Sequence, residues 1–323
     1  MAILFVGSTP SDLGGITTNN TNSPGRDPNF TPLGSRLDGE FDDTGGGFSI
    51  ITEPPTSNIV WYHFIFETNQ NISYGNYTDG HWFTIYSGST IVARMDALNS
   101  DWSLTGGGAT SGNFSPFAPN VQTTYDIKVE CDGTNVTVTM YMSGAVAATL
   151  TYASTVSPPD RLFFDHFDMV WNTTSRAYYY SECIVTDNEA TIGWRLATLT
   201  PGATATYSDW DGTPANLVTF GDGLGIASNV AGQKESWNLS TYLGPASTGN
   251  VRAVVNKMIA SAGLSGPTQI TPFVRHAATD VDGTTFTPNG ELYVEVLDTN
   301  PQTGLGWDTA DFATLEIGVK STA

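Results

Sequence analysis

Between Tyr125 and Tyr152 the chain reads "YDIKVECDGTNVTVTMYMSGAVAATLTY", and this alternation around Asp132-Gly133 leaves few folds open. Ile127, Val129 and Cys131 share one face of the first run, and Val136, Val138 and Met140 share one face of the second. Lys128, Glu130, Thr137 and Thr139 take the opposite face. A period of two is that of strands buried on one side, and Asp-Gly supplies the positive φ of a tight hairpin turn. Ser143-Gly144 repeats the device, so an antiparallel meander is expected.

The same reading applies upstream. "SNIVWYHFIFET", "GHWFTIYSG" and "STIVARMDA" are rich in β-branched and aromatic residues and close on turn formers. In "RLFFDHFDMVW", Leu162, Phe164, His166, Asp168 and Val170 point one way, with Phe163, Asp165, Phe167, Met169 and Trp171 opposed. "RAYYYSECIVTD" returns as a strand after the Asn172 to Ser175 turn. The prediction is all-β, with two antiparallel β-sandwich (jelly-roll) domains. Residues 1–35, punctuated by Pro and Gly, form an extended N-terminal arm, 36–187 the first sandwich, and 188–323 the second. The second ends in a short helix capped by Asp308 or Thr309 and a final strand around Ile317 to Lys320.

The meander from Tyr125 to Tyr152 resembles the concanavalin A-like (laminin G or legume-lectin type) jelly roll in pattern. "YYYSECIVTDNEATIGWRLATLTP", "AGQKESWNLS" and "DTNPQTGLGWDTADFATLEIGVK" resemble a family of tailed-bacteriophage virion structural or tail-associated proteins. That resemblance implies a non-enzymatic structural component of a virion, exposed on the tail or capsid exterior. It also implies other virion proteins as partners, a homo-oligomeric state, and host-surface glycan as a further ligand. The alternatives are a carbohydrate-binding (lectin-like) module and a glycan-cleaving enzyme.

Charge narrows the partners. The 12 basic residues stand against 32 acids, a formal net charge of −20, and they form no cluster in sequence. Phosphate backbones need clustered Lys and Arg, so no nucleic-acid partner is expected. The first residues carry no basic leader, and no apolar run approaches the roughly 20 residues of a membrane-spanning helix. A protein made in a host cytoplasm without a signal peptide, with no membrane partner, is expected. Cys131 and Cys183 are read as free buried thiols.

Catalytic and metal constellations are sparse. His166 lies between Asp165 and Asp168, but on a strand Asp165 and His166 face opposite sides. His166 and Asp168 share a face yet have no nucleophile in a G-x-S-x-G setting. No closely spaced same-face carboxylates suit glycan hydrolysis; Glu291 and Glu295, with Asp298 beyond, read as a solvated strand face. The four histidines, His63, His81, His166 and His276, are too far apart in sequence for a zinc motif. Asp209, Asp211 and Asp222 in a Gly-rich loop leave two readings open, calcium ligands or turn formers. Trp82, Trp102, Trp210 and Trp307 lie near predicted loops, where they serve either as sugar platforms or as packing. No catalytic residue, cofactor or metal is assigned.

Overall fold

A computed structural model describes residues 2–7, 36–39, 47–68, 80–98, 101–115, 118, 120–164, 178–217, 224–241 and 251–322. The chain is almost wholly β and divides into two compact units, Met1–Thr198 and Leu199–Ala323.

The strands of the first unit are β1 (Ala2–Gly7), β2 (Arg36–Gly39), β3 (Phe48–Ile51), β4 (Ile59–Thr68), β5 (Gly80–Ser87), β6 (Thr90–Leu98) and β7 (Asp101–Gly106). They continue with β8 (Ala109–Thr110), β9 (Thr123–Cys131), β10 (Asn135–Met142), β11 (Ala145–Ala153), β12 (Arg161–Phe164) and β13 (Tyr178–Asp187). A seven-stranded sheet runs β1-β13-β4-β9-β10-β11, with β2 also paired to β13. A six-stranded sheet runs β3-β12-β5-β6-β7-β8. All pairings are antiparallel, and the hairpins fall at Asp132-Gly133 and Ser143-Gly144 as the alternation predicts.

Between the sheets lies an aromatic core of Tyr62, Phe64, Phe66, Trp82, Phe83, Tyr125, Phe164 and Tyr180. Each fully buried large apolar side chain contributes about 1.5–3 kcal/mol. The Trp82 indole N–H donates to the Tyr180 hydroxyl at 2.9 Å, so the one polar atom of that ring is satisfied in the core. Trp82 and its neighbour Phe83 can both face inward because Trp82 is an extra residue in β5, and Val92 is a matching extra residue in β6. The two bulges cancel, and the register beyond them is restored.

Ala2–Gly7, expected as part of an arm, pair with β13 at the sheet edge, while residues 8–35 lie outside the described residues. The first unit extends past 187 to Thr198. Of the 161–171 strand, Arg161–Phe164 is present as β12; His166 and both flanking aspartates, Asp165 and Asp168, lie outside the described residues.

The second unit has β14 (Pro201–Ser208), β15 (Lys234–Leu239), β16 (Val254–Ser261), β17 (Gln269–His276), β18 (Thr279–Asp282), β19 (Asn289–Leu297) and β20 (Glu316–Thr322). A five-stranded sheet, β14-β15-β20-β17-β18, and a two-stranded sheet, β16-β19, enclose Val274, Trp307 and Leu315, with Val254 and Leu297 packed against them. The expected short helix is a 3-10 turn, Thr309–Ala313, capped by Asp308 in a reciprocal box with Asp311.

Candidate functional site

The two outer faces of the first sandwich differ in what lies on them. On the seven-stranded sheet His63, Ile65, Glu67, Asp126, Glu182, Ile184 and Thr186 all point away from the core, yet all are buried. Residues 188–198 account for part of this cover. Thr191 donates to Asp126 Oδ1 at 2.7 Å, the oxygen that also meets His63 Nδ1 at 2.8 Å. Arg195 donates through Nε and one terminal nitrogen to the two Glu182 oxygens, each at 2.8 Å, and the Leu196 N–H adds a third bond at 2.9 Å. Glu182 holds φ at +54° beside the β13 bulge, a left-handed conformation stabilised by this triple grip.

The outer face of the six-stranded sheet is only partly covered. Register places its side chains in three rows, about 7 Å apart along the strands. Ile51, Arg161, Tyr86 and Ile91 form the first row; Ser49, Phe163, Thr84, Arg94 and Thr105 the second; His81, Asp96 and Ser103 the third. Asp96 is the hub. His81 Nδ1 lies 2.6 Å from its Oδ1, Arg94 donates to Oδ2 at 3.3 Å, and the Thr105 hydroxyl donates to Oδ2 as well. The His81 and Arg94 side chains are 32% and 37% exposed, so the cluster opens to solvent while Asp96 is held by three neighbours. With Nδ1 against Asp96, Nε2 is the ring nitrogen of His81 left for a further partner. In the first row the Arg161 guanidinium lies over the Tyr86 ring, 4.1 Å from its centroid.

This arrangement offers fixed donors, a charged acceptor and an aromatic ring on a broad pleated surface. Such a set suits hydroxyl-rich ligands, whose polar edges need paired hydrogen bonds and whose C–H faces need apolar cover.

Other sequence candidates go elsewhere. Trp82 and Trp102 belong to the first core and Trp307 to the second, its indole N–H donating to the Leu297 carbonyl at 2.8 Å. Trp210 is half-buried, with its indole N–H on the Gln233 carbonyl at 3.3 Å. Asp209 accepts the Lys234 N–H at 3.0 Å, the backbone of Asp211 bridges to Ala227, and Asp222 lies outside the described residues. Among the described residues no three His, Cys, Asp or Glu side chains gather as metal ligands. Glu295 accepts the Thr284 N–H at 3.1 Å, and Glu291 the Asn289 amide at 2.5 Å. His276 Nε2 stands 3.7 Å from Asp311. Cys131 and Cys183 are buried thiols outside any disulfide; burial, then Asp132 and Glu130, push the Cys131 thiol up to about 11. An unreactive thiol is the consequence.

The second unit has its own polar sheet face, answered internally. Asp280 takes Lys234 at 2.6 Å, Arg275 at 2.5 Å and the Tyr207 hydroxyl at 2.8 Å. Glu316 takes the Thr206 and Ser236 hydroxyls at 2.7 and 2.8 Å. These bonds reach all five strands of the sheet.

The chain matches no protein-family model and no curated protein. Among solved structures it is similar to a sialidase, at 12% identity over 48% of this chain and 15% of that one, with a TM-score of 0.36. A second is the glycoside hydrolase family 131 catalytic domain from Coprinopsis cinerea, at 12% identity over 50% and 72% of the two chains, TM-score 0.34. A third is botulinum neurotoxin type C, which depends on two ganglioside molecules to enter cells, at 9% identity over 88% and 84%, TM-score 0.37. An alginate lyase of polysaccharide lyase family 7 is similar as well. The chain spans only 15%, 37% and 39% of the first three structures it matches. None of those named is a phage protein. One expectation is corrected: sialidase, lyase and glycoside hydrolase stand among these structures, so a non-enzymatic chain is no longer the reading. At these identities the likeness concerns fold and assigns no activity.

Proposed function

We propose that the first unit recognises a glycan on the open face of its six-stranded sheet. The observation that carries this reading is the convergence of His81, Arg94 and Thr105 on Asp96 at a solvent-facing position. A carboxylate held by three neighbours presents its remaining lone pairs in a fixed direction. Preset polar groups of this kind reduce the ordering that binding would otherwise require. If the chain is carried on a phage particle, as its C-terminal residues suggest, this face supplies a contact to host-surface polysaccharide.

Titration calorimetry against a panel of bacterial and plant polysaccharides tests the reading, with release of reducing ends followed on the same panel. Saturable binding is expected, reduced about tenfold or more in Asp96→Ala, since loss of a charged hydrogen-bond hub removes about 1.5–3 kcal/mol. Reducing-end release that disappears in the same variant would extend recognition to cleavage. Binding that Asp96→Ala leaves intact, in a protein of unchanged melting temperature, would remove this face from consideration.

A further inference from the structure

Arg161 differs from the basic residues whose ion pairs are described. With 32 acids against 12 basic residues, a cation should readily find a carboxylate. Arg94, Lys128, Arg195, Lys234, Arg275 and Lys320 each do. Among the described residues no carboxylate reaches Arg161, and its Nε is buried without an acceptor. Its neighbour Asp160 is occupied elsewhere, accepting the Gly88 N–H at 3.0 Å and donating its own N–H to the Tyr86 carbonyl at 3.0 Å.

The Tyr86 ring holds the guanidinium in place instead. Stacking of this kind fixes the plane of the fork while leaving its N–H edges for an oxygen-bearing anion. Ile51 and Ile91, 65% and 44% exposed, lie in the same row. They supply the apolar surface that the C–H face of a sugar ring covers. A planar cation between apolar flanks is the recognition chemistry of an acidic sugar, and a neutral one leaves the fork unanswered.

We propose that the glycan is anionic and that Arg161 takes its carboxylate or sulfate. This rests on the reading of the open face as a glycan site and names the substrate class of that site. Asp96 and its partners bind hydroxyls two rows away, and Arg161 selects the charged residue.

The test compares polygalacturonate, dextran sulfate and uncharged dextran on the full chain, wild type and Arg161→Gln. Binding of one or both acidic polymers is expected, at least tenfold tighter than dextran and reduced at least tenfold in Arg161→Gln. Polygalacturonate alone would identify a carboxylate, and dextran sulfate alone a sulfate. Should Arg161→Gln fail to fold, wild-type protein decides: the acidic polymer should shield Arg161 from phenylglyoxal, read by mass spectrometry, and dextran should not. Acidic polymers bound equally by Arg161→Gln but lost in Asp96→Ala would overturn the role of Arg161 and leave the glycan site. Preference for dextran would overturn the anionic class. Wild-type binding of no polymer here or on the wider panel would overturn the glycan reading itself.

Discussion

At Gly318 a Cβ atom would stand 2.3 Å from the Phe273 ring and 2.6 Å from the Glu235 carbonyl. The ring lies across β20 at this point, under Lys234 and edge-on to Tyr207. Gly318→Ala should therefore cost about 1–3 kcal/mol through overpacking, read as a lower urea midpoint; an unchanged midpoint would mean the ring moves aside freely. No sequence signal marks this glycine, because the clash is with residues far along the chain. The His81–Asp96 pair is different. Ser87 opposite Thr90 sets the hairpin register, and counting back along both strands places His81 opposite Asp96. The turn points to that pair only because the bulges at Trp82 and Val92 cancel. No turn points to His63 and Asp126, since β4 and β9 are joined by no hairpin and only the folded sheet brings them together. Arg161 was equally hidden: its lack of a carboxylate is a property of the fold.

The strands themselves were legible wherever alternation met a turn, as between β9 and β11, because period and turn chemistry act locally. Segment 188–198 and β1 were not, since each is placed by contacts to strands distant in sequence. Segment 188–198 is fastened chiefly by Glu182, which is fully buried, and Arg195, which is partly exposed. Arg195→Ala removes two of the bonds to that carboxylate and keeps the one from the Leu196 N–H. Arg195 is itself exposed, so losing its bonds to the buried carboxylate costs about 1.5–3 kcal/mol, the range for hydrogen bonds to a charged group. Faster amide exchange at Thr191 to Leu196 should accompany the loss of stability. A segment that stays protected in Arg195→Ala would show that the cover over the seven-stranded sheet is held by other contacts.

For the molecule as a whole, the excess of acids makes pH a strong variable, and two kinds of carboxyl oppose each other. Burial tends to raise the Asp280 carboxyl, but the bonds from Lys234, Arg275 and Tyr207 outweigh it and hold the group below the usual range. Glu316 is likewise raised by burial and brought down further by Thr206, Ser236 and Arg275. A carboxyl depressed in the folded state stabilises above its unfolded pKa and loses that contribution as pH falls through the folded value. Glu235 has the opposite sign: burial raises it, so its contribution is present at low pH and fades as pH rises through its folded value. Two depressed groups in one strand-linking network should outweigh the single raised one. The second unit should thus lose stability from about pH 4 downward, near the ordinary carboxylate range. Asp280→Asn should melt earlier at neutral pH and show a flatter acid limb, because the titrating hub is gone. Scanning fluorimetry of both proteins between neutral and acid pH reads this directly. An acid limb as steep in Asp280→Asn as in the wild type would assign the acid sensitivity to carboxyls outside this network.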